Sequence, residues 1–262
     1  MQLSGRRVLI TGGSRGIGAA LARGFRDRDA DVAVVARPSA ALDAVAADVG
    51  ATAYAADLAE LPALPALVER IEADGAVDVL VNNAGVSNVG WYLDRTLEEV
   101  DQVMTVNLLA PMHLCRLWLP LMVARGRGHV VNLSSMAAVF APPGLTTYGA
   151  SKAGLSHFTA GLRADLRDEP IGFTTVHLAS VSTDMDDEAR RYGPLRELAQ
   201  KSSGRDITSM ATLVSAVLEA VEQDRAEVRV PKAMAPLAAA TNLPRKLGRL
   251  MFKRAMAYEP RT

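Results

Sequence analysis

Short runs of apolar, largely β-branched residues alternate along this chain with longer stretches whose apolar positions recur every three or four residues. The runs fall at 7–11, 31–36, 52–55, 77–82, 129–134, 172–177 and 227–230, each of strand length. Most are continuously apolar rather than alternating, the pattern of strands covered by helices on both faces. The periodic stretches between them predict helices near 17–28, 40–49, 64–74, 97–125, 148–167 and 208–223. Strand–helix alternation of this kind predicts an α/β fold: a doubly wound, parallel, seven-stranded sheet with helices on both faces. Such sheets take ligands outside the carboxyl ends of their strands.

Composition narrows the function classes. Of 262 residues 49% are hydrophobic, which supplies a large core and excludes a disordered or collagen-like chain. No repeat or low-complexity linker interrupts the first 230 residues, so 1–230 reads as one domain and 231–262 as an extension. The 29 basic and 29 acidic residues cancel, which removes the long-range field that draws a protein to nucleic acid, and no such partner is expected. The cancellation is uneven, because 231–262 holds seven basic residues and one acid. A single cysteine, Cys115, excludes an internal disulfide and a cysteine-based metal site; it reads as a small core residue, and no metal is expected. The first residues enter a strand with no secretory h-region. No stretch approaches the ~20 apolar residues of a bilayer span. A cytoplasmic location is the expectation.

The first strand runs into Thr11-Gly12-Gly13-Ser14-Arg15-Gly16-Ile17-Gly18, which opens the first helix. Glycine there lets the backbone turn and approach a pyrophosphate seated on the positive end of the helix. Strand before and helix after make this a dinucleotide-binding turn of the Rossmann type, with Gly12, Ser14, Arg15, Gly16, Ile17 and Gly18 as its contacts. At the end of the second strand an acid would accept from a ribose 2′-OH and repel a 2′-phosphate. Ala36 stands in that place, with Arg37 beside it and Arg15 within reach, so NADP(H) is the expected cofactor. Asp57 and Leu58, after the third strand, are expected at the adenine. Asn83, Ala84 and Gly85, after the fourth, are expected near the adenine ribose.

Tyr148 and Lys152 are four residues apart, on one face of a predicted helix. A phenol with a reference pKa of about 10 is a poor base at neutral pH, and a nearby cation would lower that value. Ser135 closes the fifth strand, thirteen residues before the tyrosine, with Ser134 as its competitor. The glycine turn, the Asn-Ala-Gly turn, the strand-end serine and the Tyr-x-x-x-Lys pair together resemble the short-chain dehydrogenase/reductase family. The resemblance runs from residue 3 to about 230. It implies Tyr148 as general acid/base, Lys152 as the group that acidifies it and holds the nicotinamide ribose, and Ser135 as the anchor of the substrate oxygen. It also implies that Asn107 retains a water linking Lys152 to solvent, and that the protein is a homodimer or homotetramer. Thr183 and the backbone of Val181 are implied at the nicotinamide carboxamide. Leu178 and Ala179 stand where the family has Pro-Gly, which puts the path of that loop in question.

The segments 86–91 and 136–147 contain no charged residue and predict an apolar pocket wall, with the charged stretch 184–205 as a lid. A small lipophilic ketone, aldehyde or secondary alcohol is the substrate class this suggests. A carrier-bound 3-oxoacyl substrate is the alternative, and a non-catalytic NADP-binding sensor or scaffold is a third reading. In 243–256 apolar residues share one helical face and Arg245, Arg249 and Lys253 another. That stretch fits either peripheral contact with an anionic membrane or packing on a neighbouring subunit or over the pocket.

Overall fold

The computed structural model describes residues 1–179 and 209–230. Seven strands, β1 (Arg7–Thr11), β2 (Asp31–Ala36), β3 (Thr52–Ala55), β4 (Val79–Asn82), β5 (Gly128–Leu133), β6 (Ile171–Leu178) and β7 (Glu227–Val230), form one sheet in the order β3-β2-β1-β4-β5-β6-β7. Every pairing is parallel, with Val8 opposite Val32 and Val79 and Asn82 opposite Asn132. The helices are α1 (Gly16–Arg26), α2 (Ala40–Val49), α3 (Leu64–Asp74), α4 (Leu97–Met104), α5 (Ala110–Ala124), a single turn α6 (Ala137–Phe140), α7 (Thr146–Asp165) and α8 (Met210–Glu222).

Alternate side chains of each strand enter one of two cores. On one face Ile10, Val34, Val131 and Val176 pack with Leu21 and Phe25 of α1 and Leu218 of α8. On the other Leu9, Val35, Leu80 and Phe173 pack with Ile71 of α3 and Leu114 and Trp118 of α5. Burial on both faces explains the unbroken apolar runs in the central strands. Strand order reverses between β1 and β4, and the crevice above their carboxyl ends is the switch point of the fold.

β4 begins at Val79 rather than at residue 77, because the Val77 N–H donates to the Glu72 carboxylate at 3.0 Å and not to the ladder. The predicted helix over 97–125 is continuous from Leu97 to Ala124 but carries a π-helical turn at Thr105–Leu109, where Ala110 N donates to Thr105 O. By length and composition alone this 28-residue helix is long and apolar enough to span a bilayer, which corrects the expectation that no stretch approaches a span. Half of its most apolar window is buried in protein, with Leu114, Cys115, Trp118 and Met122 in the sheet core. Residues 181, 183, 184–205 and 243–256, to which the sequence assigns cofactor contacts, a lid and an amphipathic tail, lie outside the described residues.

Candidate active site

The glycine turn closes over the β1–β4 crevice. Gly12 (φ 67°) and Gly16 (φ 54°) are left-handed, a conformation that costs a residue with a Cβ roughly 1–2 kcal/mol. A Cβ on Gly18 would stand 2.2 Å from Gly12 O, so the turn closes only with glycine there. Gly13 fills a role that the motif alone does not reveal: its Cβ would strike Val34 at 2.6 Å, so it seats the turn on β2. Ser39 caps α2, Thr96 and Glu99 form a reciprocal box on α4, and Ser209 caps α8. At the start of α1, by contrast, no side chain caps the helix and its first turn has no acid. Its first N–H groups face the crevice with the helix dipole behind them, an arrangement that fits a pyrophosphate.

Asn83 clamps this turn. Its amide donates to Thr11 O at 2.8 Å and Gly12 O at 3.2 Å, while the Thr11 hydroxyl accepts from Asn83 N and Ala84 N at 3.0 and 3.1 Å. The side chain of Asn83 therefore braces the floor of the crevice. Thr11, a polar residue ending an apolar strand, was the overlooked signal for that brace. Arg15 and Arg37 are exposed beside the turn and Ser14 is half-buried. Asp57 is exposed, with its carboxylate accepting from Ala59 N at 2.9 Å. Leu58 gives its side chain to one core, and the partly buried Ile17 packs against the other.

Farther along the crevice, β5 ends beside the first turns of α7. The two serines diverge because the strand alternates. Ser134 turns into α7, its hydroxyl 2.7 Å from Ser156 Oγ and 3.0 Å from Lys152 O. Ser135 instead stays at the crevice, its hydroxyl accepting from Ala137 N at 3.1 Å and lying near enough to the Tyr148 phenol to favour its ionised form. Tyr148 and Lys152 share a face of α7, with the ammonium 5.9 Å from the centre of the phenol ring. Lys152 is buried and donates to Leu133 O at 2.8 Å. Gly85 passes close enough that a Cβ there would stand 3.5 Å from the Lys152 ammonium and 3.2 Å from Asn107 Oδ1.

Burial governs ionisation in this corner. It pushes the Tyr148 phenol up, and the nearby Ser135 hydroxyl pulls it back down. Burial pushes Lys152 down to about 8. Desolvation is the largest influence at both groups. Asn107 is held by protein groups. Fully buried in the π-helical turn, its Oδ1 accepts from Val86 N at 2.8 Å and its Nδ2 donates to Val86 O at 2.9 Å and to Ser151 Oγ at 3.1 Å. Its side chain is thereby fixed between the loop at Val86 and α7.

The walls are apolar as read, with two additions. Gly90 N donates to Gly144 O at 3.0 Å, linking the two wall segments. The Arg95 guanidinium, paired with Glu99 at 3.2 Å, lies against Gly90, where a Cβ would meet it at 2.8 Å. A cation therefore stands behind a wall that looked uncharged. Within the second wall α6 ends at Ala141 in the left-handed region (φ 49°), strain of the kind that collects at ligand sites. His177, near the end of β6, is buried, and burial keeps its imidazole below the ordinary range.

Residues 6–192 match the family model for short chain dehydrogenases. The chain belongs to the short-chain dehydrogenase/reductase family. A ketoacyl reductase, HetN, of Nostoc sp. is 35% identical over 235 residues, covering 87% of this chain and 79% of HetN. A short-chain dehydrogenase from Sphingobium yanoikuyae solved with NADPH superposes with a TM-score of 0.78 at 27% identity, covering 98% of both chains. A Burkholderia phymatum short-chain dehydrogenase/reductase solved with NAD shares the fold with a TM-score of 0.80 at 23% identity, covering 100% of this chain and 99% of that one. This short-chain dehydrogenase/reductase is accordingly a nucleotide-dependent oxidoreductase. Its fold is common to NADP- and NAD-bound members, so side chains must select between them.

Proposed function

We propose that this enzyme uses NADPH to reduce small lipophilic ketones or aldehydes to alcohols, with Tyr148 as the proton donor. One observation carries the reading: Ser135, Tyr148 and Lys152 meet at the carboxyl edge of the sheet, in the crevice floored by the glycine turn. The turn at Gly12–Gly18 and the uncapped α1 would hold the pyrophosphate, Arg15 and Arg37 a 2′-phosphate, and Lys152 and Gly85 would border the nicotinamide ribose. When bound, the reduced nicotinamide supplies a hydride to the carbonyl carbon. Ser135 would hydrogen-bond the carbonyl oxygen as negative charge develops there, and Tyr148 would deliver its phenolic proton to that oxygen. The resulting phenolate is stabilised by the Ser135 hydroxyl and by the Lys152 ammonium beside the ring. The apolar walls at 86–91 and 136–147 favour a hydrophobic substrate, because a charged one would be desolvated without a partner.

A carrier-bound 3-oxoacyl thioester is the second reading, favoured by the resemblance to a ketoacyl reductase. Exposed Leu93 and Leu97 beside α4 support the reading of a homodimer or homotetramer. NADPH consumption followed at 340 nm with hydrophobic carbonyls and 3-oxoacyl thioesters tests the proposal. Wild type should turn over, NADPH should outperform NADH, and Tyr148→Phe should lose about 10²–10⁴-fold in kcat with cofactor affinity retained. Cofactor binding without turnover of any carbonyl, or full activity in Tyr148→Phe, would overturn it. A marked preference for carrier-linked over free substrates would select the second reading.

A further inference from the structure

We propose that Ser151 is a positioning residue, which fixes Tyr148 relative to Lys152 by bolting the first turns of α7 to the π-helical turn. This rests on the reading that Tyr148 exchanges the substrate proton. Ser151 lies between the two on α7 and is fully buried. Its hydroxyl donates to Tyr148 O at 2.7 Å. A hydroxyl has one proton, so toward Asn107 Nδ2, 3.1 Å away, it can only accept. The direction of each bond is therefore settled: Asn107 donates to Ser151, and Ser151 donates to the tyrosine carbonyl.

Asn107 is held in turn by both polar atoms of the Val86 backbone, at 2.8 and 2.9 Å. One chain of bonds thus joins the loop wall at Val86, the π-helical turn and the backbone of Tyr148. Serine bonded to a carbonyl three or four residues back bends a helix slightly, and π-turns inside α-helices concentrate at functional sites. Here that bond falls between the phenol and the ammonium. The lysine end is tethered independently. Its ammonium is bonded to Leu133 O at 2.8 Å, and its own carbonyl accepts from Ser156 at 2.8 Å. Removing the Ser151 hydroxyl therefore frees the tyrosine end of the pair and leaves the lysine end in place. No polar bond joins Ser151 to the phenol or the ammonium among the described residues, so it acts through the backbone.

Ser151→Ala and the near-isosteric Ser151→Cys, in the full chain, separate this role from simple stability. The assay is NADPH oxidation with the best carbonyl found for wild type, read as kcat, KM and pH profile, beside the NADPH Kd and the thermal midpoint. Displacing a reacting group by a fraction of an ångström should lower kcat of Ser151→Ala by about 10-fold or more. The Kd for NADPH should stay within about twofold, and the pH–kcat profile should shift. Ser151→Cys should fall between, because a thiol bonds weakly to the same carbonyl. The proposal fails if kcat is unchanged in a folded Ser151→Ala or Ser151→Cys. It fails equally if kcat falls only with the thermal midpoint while the pH profile stays fixed. Tyr148→Phe separates the layers: if it keeps wild-type turnover the tyrosine reading fails, whereas an inactive Tyr148→Phe beside a wild-type-like Ser151→Ala removes this proposal alone.

Discussion

Ala36 ends β2 where a carboxylate would accept from a ribose hydroxyl, and Arg37 beside it is exposed with no ion pair among the described residues. On the proposed NADPH reading, its planar guanidinium would fork onto the 2′-phosphate alongside Arg15. Arg37→Asp should raise the KM for NADPH by about 10- to 100-fold while improving the use of NADH, measured as the ratio of the two kcat/KM values. That residue was legible in the sequence because its position is fixed by strand length alone. Ser135 was legible for a similar reason, since spacing favoured it over Ser134 and the strand pleat sends Ser134 into α7. The partners of Asn107 were not legible at the same scale. A buried amide takes whatever partners the fold brings, and these are Val86 and Ser151, neither adjacent in sequence. The burial of Tyr148 was not legible for a related reason. Helical spacing gives the distance to Lys152 but not the desolvation at both groups.

Elements behave more predictably. β1, β2, β3, β7, α2 and α3 keep the sequence-derived limits, because apolar runs and periodic stretches end where polar or turn residues begin. The π-helical turn inside 97–124 has no such signature, since it serves contacts made outside its own helix. At the opposite edge of the sheet from the crevice, α3, α5 and the start of β4 are joined by Glu72. Its carboxylate accepts from Trp118 Nε1 at 2.7 Å, Val77 N at 3.0 Å and Arg125 at 2.9 Å. Glu72→Ala leaves two buried donors and a partly buried cation without that partner, and should cost about 2–3 kcal/mol in urea denaturation. Turnover at 25 °C should survive, because the clamp lies at the amino ends of the strands and the chemistry at their carboxyl ends.

For the molecule as a whole, a buried neutral histidine ties stability to pH. Thr174 donates its one hydroxyl proton to Arg225 O at 2.7 Å, so His129 must donate to Thr174 from Nε2, at 2.8 Å, as the neutral imidazole. Burial pushes its pKa from 6.5 down to about 3. Above pH 6.5 the folded and unfolded chains bind the same proton count at this site. Below it the unfolded chain binds one more, so stability falls by about 1.4 kcal/mol per pH unit until the folded histidine also protonates near pH 3. Urea midpoints between pH 7.5 and 5 should show this slope in wild type and a shallower one in His129→Gln. An equal slope in both would place the titration elsewhere. His129 read simply as part of an apolar strand. Its partner comes from β6 and that partner's acceptor from residue 225, which only the closed sheet brings together.

Sequence by itself determined the alternation of elements, the parallel sheet, the glycine turn and the serine–tyrosine–lysine set, because each depends on local periodicity or on spacing along a single element. Tertiary structure alone decided the bracing of the turn by Asn83, the occupation of Asn107, the burial that sets the ionisation of Tyr148 and Lys152, and the link through Ser151. These depend on which distant groups exclude water and meet one another, and that is fixed only when the strands are laid side by side.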